Sequence, residues 1–292
     1  MSEERILNLL NNKKYFEIKK LISNLMRIEK KNSKYNFYYG LILANEKKFK
    51  DAISFFMAFR ETKKDDYDSN FNIAGCYLGL LNFKKAIEFY ENCLKLNLKR
   101  HEPFHQLGIC YRLIREYDKS IYYLNKAIEI KENPFSYNLL GKVYRENGKF
   151  VESKYSFENS ISFDENFLDS KLSLANLEND CGNYQRAIEI LNNVTSSNKS
   201  NHQILTRSKI IMGNVLRSKG DYNGAIELNK NALEMDSTNI DASYNLSLCY
   251  LFIKDYEKAW KFHEARYNLQ SFVLLKKMHD TFRKPRWDNN KP

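Results

Sequence analysis

Seven times along this chain a small residue is followed nine positions later by an aromatic, and three positions after that by a second small residue. The first set is Gly40, Ala74, Gly108, Gly141, Ala175, Gly213 and Ser247, spaced by 34, 34, 33, 34, 38 and 34 residues. The aromatics are Phe49, Phe83, Tyr117, Phe150, Tyr184, Tyr222 and Tyr256, and the second small set is Ala52, Ala86, Ser120, Ser153, Ala187, Ala225 and Ala259. Every unit complies at all three positions. A fixed period of this length marks a chain of supersecondary units, each unable to bury its apolar face alone and so obliged to stack on its neighbours.

Within a unit the apolar residues recur at helical intervals, as in Leu107-Gly108-Ile109-Cys110-Tyr111 and Leu140-Gly141-Lys142-Val143-Tyr144. Gly148, Gly182 and Gly220 fall where a first helix should end, at the left-handed position glycine occupies at least cost. A second helix is predicted after it, for instance Tyr184 to Thr195, with Ala187 and Leu191 on one face. Pro103 and Pro134 stand near unit boundaries, where a helix starts. Small residues let the two helices approach, and the aromatics should fill the space between adjacent pairs. The fold class is therefore all-α: a right-handed α-solenoid, or superhelix, of helix-turn-helix repeats.

These positions resemble the tetratricopeptide repeat (TPR) family from about Ser33 to Phe272, closely so in Met212 to Asp236, MGNVLRSKGDYNGAIELNKNALEMD. The usual proline at the end of each copy is mostly replaced by Asp, Asn or Lys. Residues 1–32 read as a degenerate N-terminal capping repeat with Tyr15 in the aromatic place. Seven units follow at about 33–66, 67–100, 101–133, 134–167, 168–205, 206–239 and 240–273, and residues 274–292 form a C-terminal cap or linker tail. The four extra residues near Ser197 to His202 should lengthen one turn between repeats.

The totals limit the chemistry. No apolar run approaches the ~18 residues of a membrane span, and MSEERILNLLNNKKYF is not a secretory leader. Cys76, Cys93, Cys110, Cys181 and Cys249 form no CxxC pair, and the five His form no metal-binding spacing, so reduced thiols in a cytoplasmic protein with no metal and no cofactor are expected. Cys76, Cys110 and Cys249 share one register, just before Tyr77, Tyr111 and Tyr250, which makes them core fillers. The net charge of +11 comes mainly from scattered Lys pairs, a solvated basic surface rather than a nucleic-acid footprint.

No catalytic constellation is evident, so the expected partner is a protein or peptide held on the concave face lined by first helices, with no membrane or nucleic-acid partner. Two residues before the small position stand Asn72, Gln106 and Asn245, and one after it Lys142, Asn176 and Asn214. Amides there can both donate to and accept from an extended main chain. Four after it stand Arg112, Arg145 and Arg217, which would attract an acidic peptide, although cations near a helix C-terminus are also favoured by its dipole.

The last unit departs from the pattern. Seven residues past the second small residue, earlier units place Phe59, Cys93, Ala127, Ser160, Val194 and Ala232, whereas this one places Arg266, and Trp260 stands where most units have Ile. An ordinary repeat should not stack there. Trp260, Glu264 and Arg266, then Pro285, Trp287 and Asp288, resemble the junction between such repeats and a glycosyltransferase domain in bacterial O-GlcNAc transferase-like proteins. That resemblance implies an alternative, in which the chain is the substrate-recognition part of a split or truncated sugar-transfer enzyme whose catalytic domain lies outside it.

Overall fold

The computed structural model of the chain describes residues 6, 8, 9, 12, 14–28, 33–197 and 201–268. Fifteen α-helices and no strand occur among them: α1 (Tyr15–Ile28), α2 (Lys34–Asn45), α3 (Phe49–Arg60), α4 (Tyr67–Gly79), α5 (Phe83–Leu96), α6 (His101–Leu113), α7 (Tyr117–Ile130), α8 (Pro134–Glu146), α9 (Phe150–Phe163), α10 (Leu168–Asp180), α11 (Tyr184–Thr195), α12 (His202–Ser218), α13 (Tyr222–Met235), α14 (Ile240–Phe252) and α15 (Tyr256–His263). The chain divides into two compact bodies, Met1–Asn147 and Gly148–Pro292, and each is described by itself.

The period is read directly in the helices. All seven aromatics are the first residue of a second helix, and Tyr15 likewise opens α1. All fourteen small residues are buried. The reason for their size is steric: a Cβ on Gly40 would lie 2.7 Å from the Phe56 ring, and one on Gly108 would lie 2.6 Å from Leu124, in each case the residue sixteen positions on. Where Ser120 replaces alanine, its hydroxyl donates to the carbonyl of Gly108 at 2.7 Å, so the buried polar group is satisfied.

The turn inside each pair is equally regular. The residue two before each aromatic has a positive φ: Lys47, Leu81, Arg115, Gly148, Gly182, Gly220 and Lys254, between 57° and 89°. The next N–H reaches back five residues, as from Asn82 to the carbonyl of Tyr77 and from Asn183 to that of Glu178, both at 2.8 Å. This is the left-handed cap that closes a helix C-terminus. Asn82, Asp221 and Asp255 then accept from the backbone N–H three residues on and cap the second helix.

In the first body one cluster runs from Leu43 and Phe56 through Ile73, Tyr90 and Leu107 to Tyr111. In the second, another joins Phe157, Leu172, Ala175, Leu191, Val194 and Val215. The aromatics sit against the following first helix, Phe49 against Gly79 and Tyr222 stacked on Phe252 at 5.1 Å, but Phe150 and Tyr256 remain exposed. Cys76, Cys93, Cys110 and Cys249 are buried, and burial pushes Cys76 up to about 11 and Cys110 up to about 12.

One expectation needs correction. The extra residues near Ser197 do not simply lengthen a turn: α12 has 17 residues against 13 in α10 and α14, and gains its turn at the N-terminus. That added turn is held by His202, whose Nε2 lies 3.0 Å from the carbonyl of Met235, and by Thr206, whose hydroxyl faces the Met235 sulfur at 3.8 Å.

The array changes character where Arg266 suggested. Helix α15 has only 8 residues, against 14 in α13, and gives way to a 3-10 turn at Glu264–Asn268 that carries Arg266. Trp260 is 59% exposed and meets His263 edge-on at 5.1 Å. The expected tail, residues 274–292, lies outside the described residues, as do Phe272, Pro285, Trp287, Asp288 and most of residues 1–13.

Candidate functional site

The first helices carry every residue of the expected binding face, and the two bodies hold separate parts of it. In the first body Asn72 lies half-buried on α4, its Nδ2 donating to the carbonyl of Asp68 at 2.7 Å. Gln106 and Arg112 lie half-buried on α6, and Lys142 and Arg145 half-buried on α8. Arg112 is committed to a carboxylate: its Nε is 3.0 Å from both Glu146 oxygens, across the α6–α8 contact. Nη2 also donates to Oε1, at 2.5 Å, and two guanidinium donors on one carboxylate fix the plane and offset the charge. The same helices are also joined by His105, whose Nδ1 lies 2.9 Å from the Ser136 hydroxyl.

In the second body α10 and α12 pack on each other and bring Asn176, Asn214 and Arg217 to neighbouring first helices. Asn176 donates from Nδ2 to its own helix, to the carbonyl of Leu172 at 3.2 Å. Asn214 Oδ1 and Arg217 Nε are buried and have no hydrogen-bond partner among the described residues. Asn179 Oδ1 is in the same state. The Arg217 charge lies close enough to Cys249 to oppose part of the burial that pushes that thiol up. On α14, Asn245 is buried to 9% exposure, further in than a groove-lining amide needs to be.

The cationic row is thus uneven. Arg112 is spent on Glu146, and Arg207, near the start of α12, is spent on Asp169. Arg217 retains an unused donor, three residues along α12 from the unused acceptor of Asn214. Asn179 was missed by the sequence reading, although it stands four residues after Ala175, in the column of Arg112, Arg145 and Arg217. Reading that column for polar residues rather than for arginine alone would have found it.

Among the described residues no group of His, Cys, Asp and Glu could hold a metal ion, and no helix is long and apolar enough to cross a membrane. The fold and its polar first-helix face define an α-solenoid of helix-pair repeats. The repeats are tetratricopeptide repeats: a family profile described as a tetratricopeptide repeat matches residues 67–100 and 101–134, and one described as a TPR repeat matches residues 213–251.

Solved structures agree on the fold. A tetratricopeptide repeat protein from Parabacteroides merdae superposes with a TM-score of 0.71 at 17% identity, over 85% of this chain and 97% of that one. The Cut9–Hcn1 hetero-tetramer of the APC/C gives 0.63 at 14% identity, over 90% of this chain and 52% of that one. Among curated proteins the chain is similar to BBSome complex member BBS4 from Bos taurus, 26% identical over 217 residues, which is 64% of this chain and 42% of that protein. The Mus musculus protein of the same name is 24% identical over 127 residues. The chain therefore matches less than half the length of these relatives.

Proposed function

We propose that the chain is a protein-interaction module that holds a partner's extended segment on its first-helix face, and that the second body carries the main anchor. The observation behind this reading is the set of unused polar atoms at Asn179, Asn214 and Arg217. A buried polar atom left without a partner costs about 1–3 kcal/mol; the three residues are only half-buried, so a side-chain rotation brings that atom to a ligand that supplies the missing bond. Two amide acceptors and a guanidinium donor match the alternating N–H and C=O groups of a main chain. Asn72, Gln106, Lys142, Arg145 and Asn176 extend the polar face in their own bodies, while Asn245 lies beneath it and Arg112 acts through its pair with Glu146. The name of the curated relatives, members of a complex, supports a partner that is itself a protein, and tetratricopeptide repeats are of non-catalytic scaffold type.

The test is binding of proteins that co-purify with the full chain to Asn214→Ala and Arg217→Ala variants. Both should weaken binding about tenfold at a temperature where the melting curve of each variant shows it fully folded. Equal binding by both variants would remove the first-helix reading. The alternative, a recognition part of a split sugar-transfer enzyme, rests on Trp260, Glu264 and Arg266 and on residues outside the described set. It requires a sugar-transfer domain encoded immediately downstream, which sequencing that DNA decides.

A further inference from the structure

The second body carries a groove that the first-helix reading does not use. It runs between the second helices α9 and α11, with α10 as its floor, and holds two cavities of about 360 and 510 Å³ that share Glu158 in their linings. Along α9 it extends from Val151 to Ser162, which at 1.5 Å per residue is roughly 16 Å, or three helical turns.

One exchange marks the smaller of the two cavities. The residue after the second small position is Ile53, Ile87, Ile121, Ile188 and Ile226 in five units, and these pack into the core clusters of their bodies. In α9 it is Lys154, whose Nζ leaves the groove axis for the buried Glu178 carboxylate at 2.9 Å. The space an isoleucine would close stays open.

What borders the space is also unusual. Val151 is 82% and Tyr155 67% exposed at one end, beside Leu177. Their counterparts in the other units are mostly charged or polar, such as Lys84 and Glu88 in α5 or Gln185 and Glu189 in α11. The larger cavity takes its apolar lining from Ile161 and the buried Leu174 and Ile190, beside Lys171, Glu158, Arg186 and Glu189. The only polar partner of Lys171 among the described residues is the neutral amide of Asn193, at 3.2 Å, so its charge has no carboxylate.

We propose that this groove is a second docking site, for an amphipathic helix of another protein. A groove three helical turns long with apolar residues toward both ends fits side chains about seven residues apart on one helix face. The uncompensated Lys171 fits a carboxylate at the far end of that helix. A single chain would then hold one partner segment on its first-helix side and a second between α9 and α11.

A library of random 16-residue peptides displayed on phage, selected on the full chain, tests the proposal. The expected product is a peptide class with apolar residues seven apart and an acidic residue beyond them. Its binding should fall at least tenfold in Tyr155→Glu and in Lys171→Glu, and stay unchanged in Arg217→Ala, which separates it from the first-helix site. Replacing the peptide's acidic residue by Lys should restore binding to Lys171→Glu. Selected peptides that bind Tyr155→Glu and Lys171→Glu as well as the parent would overturn the proposal. So would sedimentation showing a dimer that Tyr155→Glu converts to monomer, which would assign the face to a second copy.

Discussion

Asn229 lies beneath Gly213 in the place where Leu124 lies beneath Gly108: a Cβ on Gly213 would meet the Asn229 Nδ2 at 2.5 Å, and one on Gly108 would meet Leu124 at 2.6 Å. Five units put a large apolar residue here, Phe56, Tyr90, Leu124, Phe157 and Leu191, whereas Asn229 is fully buried. Its Nδ2 donates to the carbonyl of Ala225 at 2.8 Å, but Oδ1 has no partner. Asn229→Leu removes that orphaned acceptor and adds apolar contact. The expected gain is about 1–3 kcal/mol in denaturant unfolding. A loss of stability would show that the amide has a structural role the other units lack.

The seven turns within the pairs offer an internal control. Gly182 and Gly220 have positive φ and open space around a would-be Cβ, while Leu81 and Arg115 hold the same conformation with side chains. A left-handed non-glycine residue costs about 1 kcal/mol. Leu81→Gly and Arg115→Gly should therefore each stabilise by about 0.5–1 kcal/mol, and Gly182→Ala and Gly220→Ala should destabilise by about as much. The four melting curves, compared pairwise, check the sign.

The repeat architecture was legible because it depends on columns that repeat. A small residue opposite the residue sixteen on, and an aromatic at the head of each second helix, recur in register whatever surrounds them. The state of a polar residue within a column is another matter. Arg112 and Arg217 share a column and a place in the last turn of their helices, yet Arg112 meets Glu146, 34 residues away, and Arg217 keeps an unused donor. That difference belongs to the neighbouring helix and is invisible within one unit. The extra turn of α12 was misread for a related reason: four added residues can extend a loop or a helix equally well, and the contacts of His202 and Thr206 with Met235 decide between them.

The contact between α6 and α8 should be acid-sensitive through His105. Burial, with a smaller contribution from the charge of His101, pushes His105 from its ordinary 6.5 down to about 4. The unfolded chain thus takes up the proton first. Stability from this group is complete above pH 6.5, falls as the pH drops toward 4, and levels off below it. The loss is on the order of 3 kcal/mol at most. In His105→Gln, which keeps a hydrogen-bonding group for Ser136, the slope between those pH values should shrink. Unfolding free energies at pH 7, 5.5 and 4 measure it, and an unchanged slope would clear His105.

Glu178 should act at lower pH and with a different dependence. Burial pushes its carboxyl up, but hydrogen bonds from Lys154 and Asn183 and the charges of Lys154 and Arg186 outweigh this and hold it below its ordinary 4.5. A carboxyl with a depressed folded pKa contributes stability above its ordinary value, and loses it as the pH falls through the folded one. Glu178→Gln should therefore cost stability at pH 7 and flatten the acid limb below about pH 4.5. Lys154→Met leaves a buried carboxylate with Asn183 as its remaining hydrogen-bond donor at 2.7 Å, and should cost about 1–3 kcal/mol at pH 7. Because the loss comes from a buried charge left without its counter-ion, Lys154→Met should recover part of that stability on acidification, when Glu178 takes up a proton. The double variant Lys154→Met with Glu178→Gln should lose less than the sum of the two single changes. Strict additivity in the unfolding free energies would show that the two groups do not depend on each other.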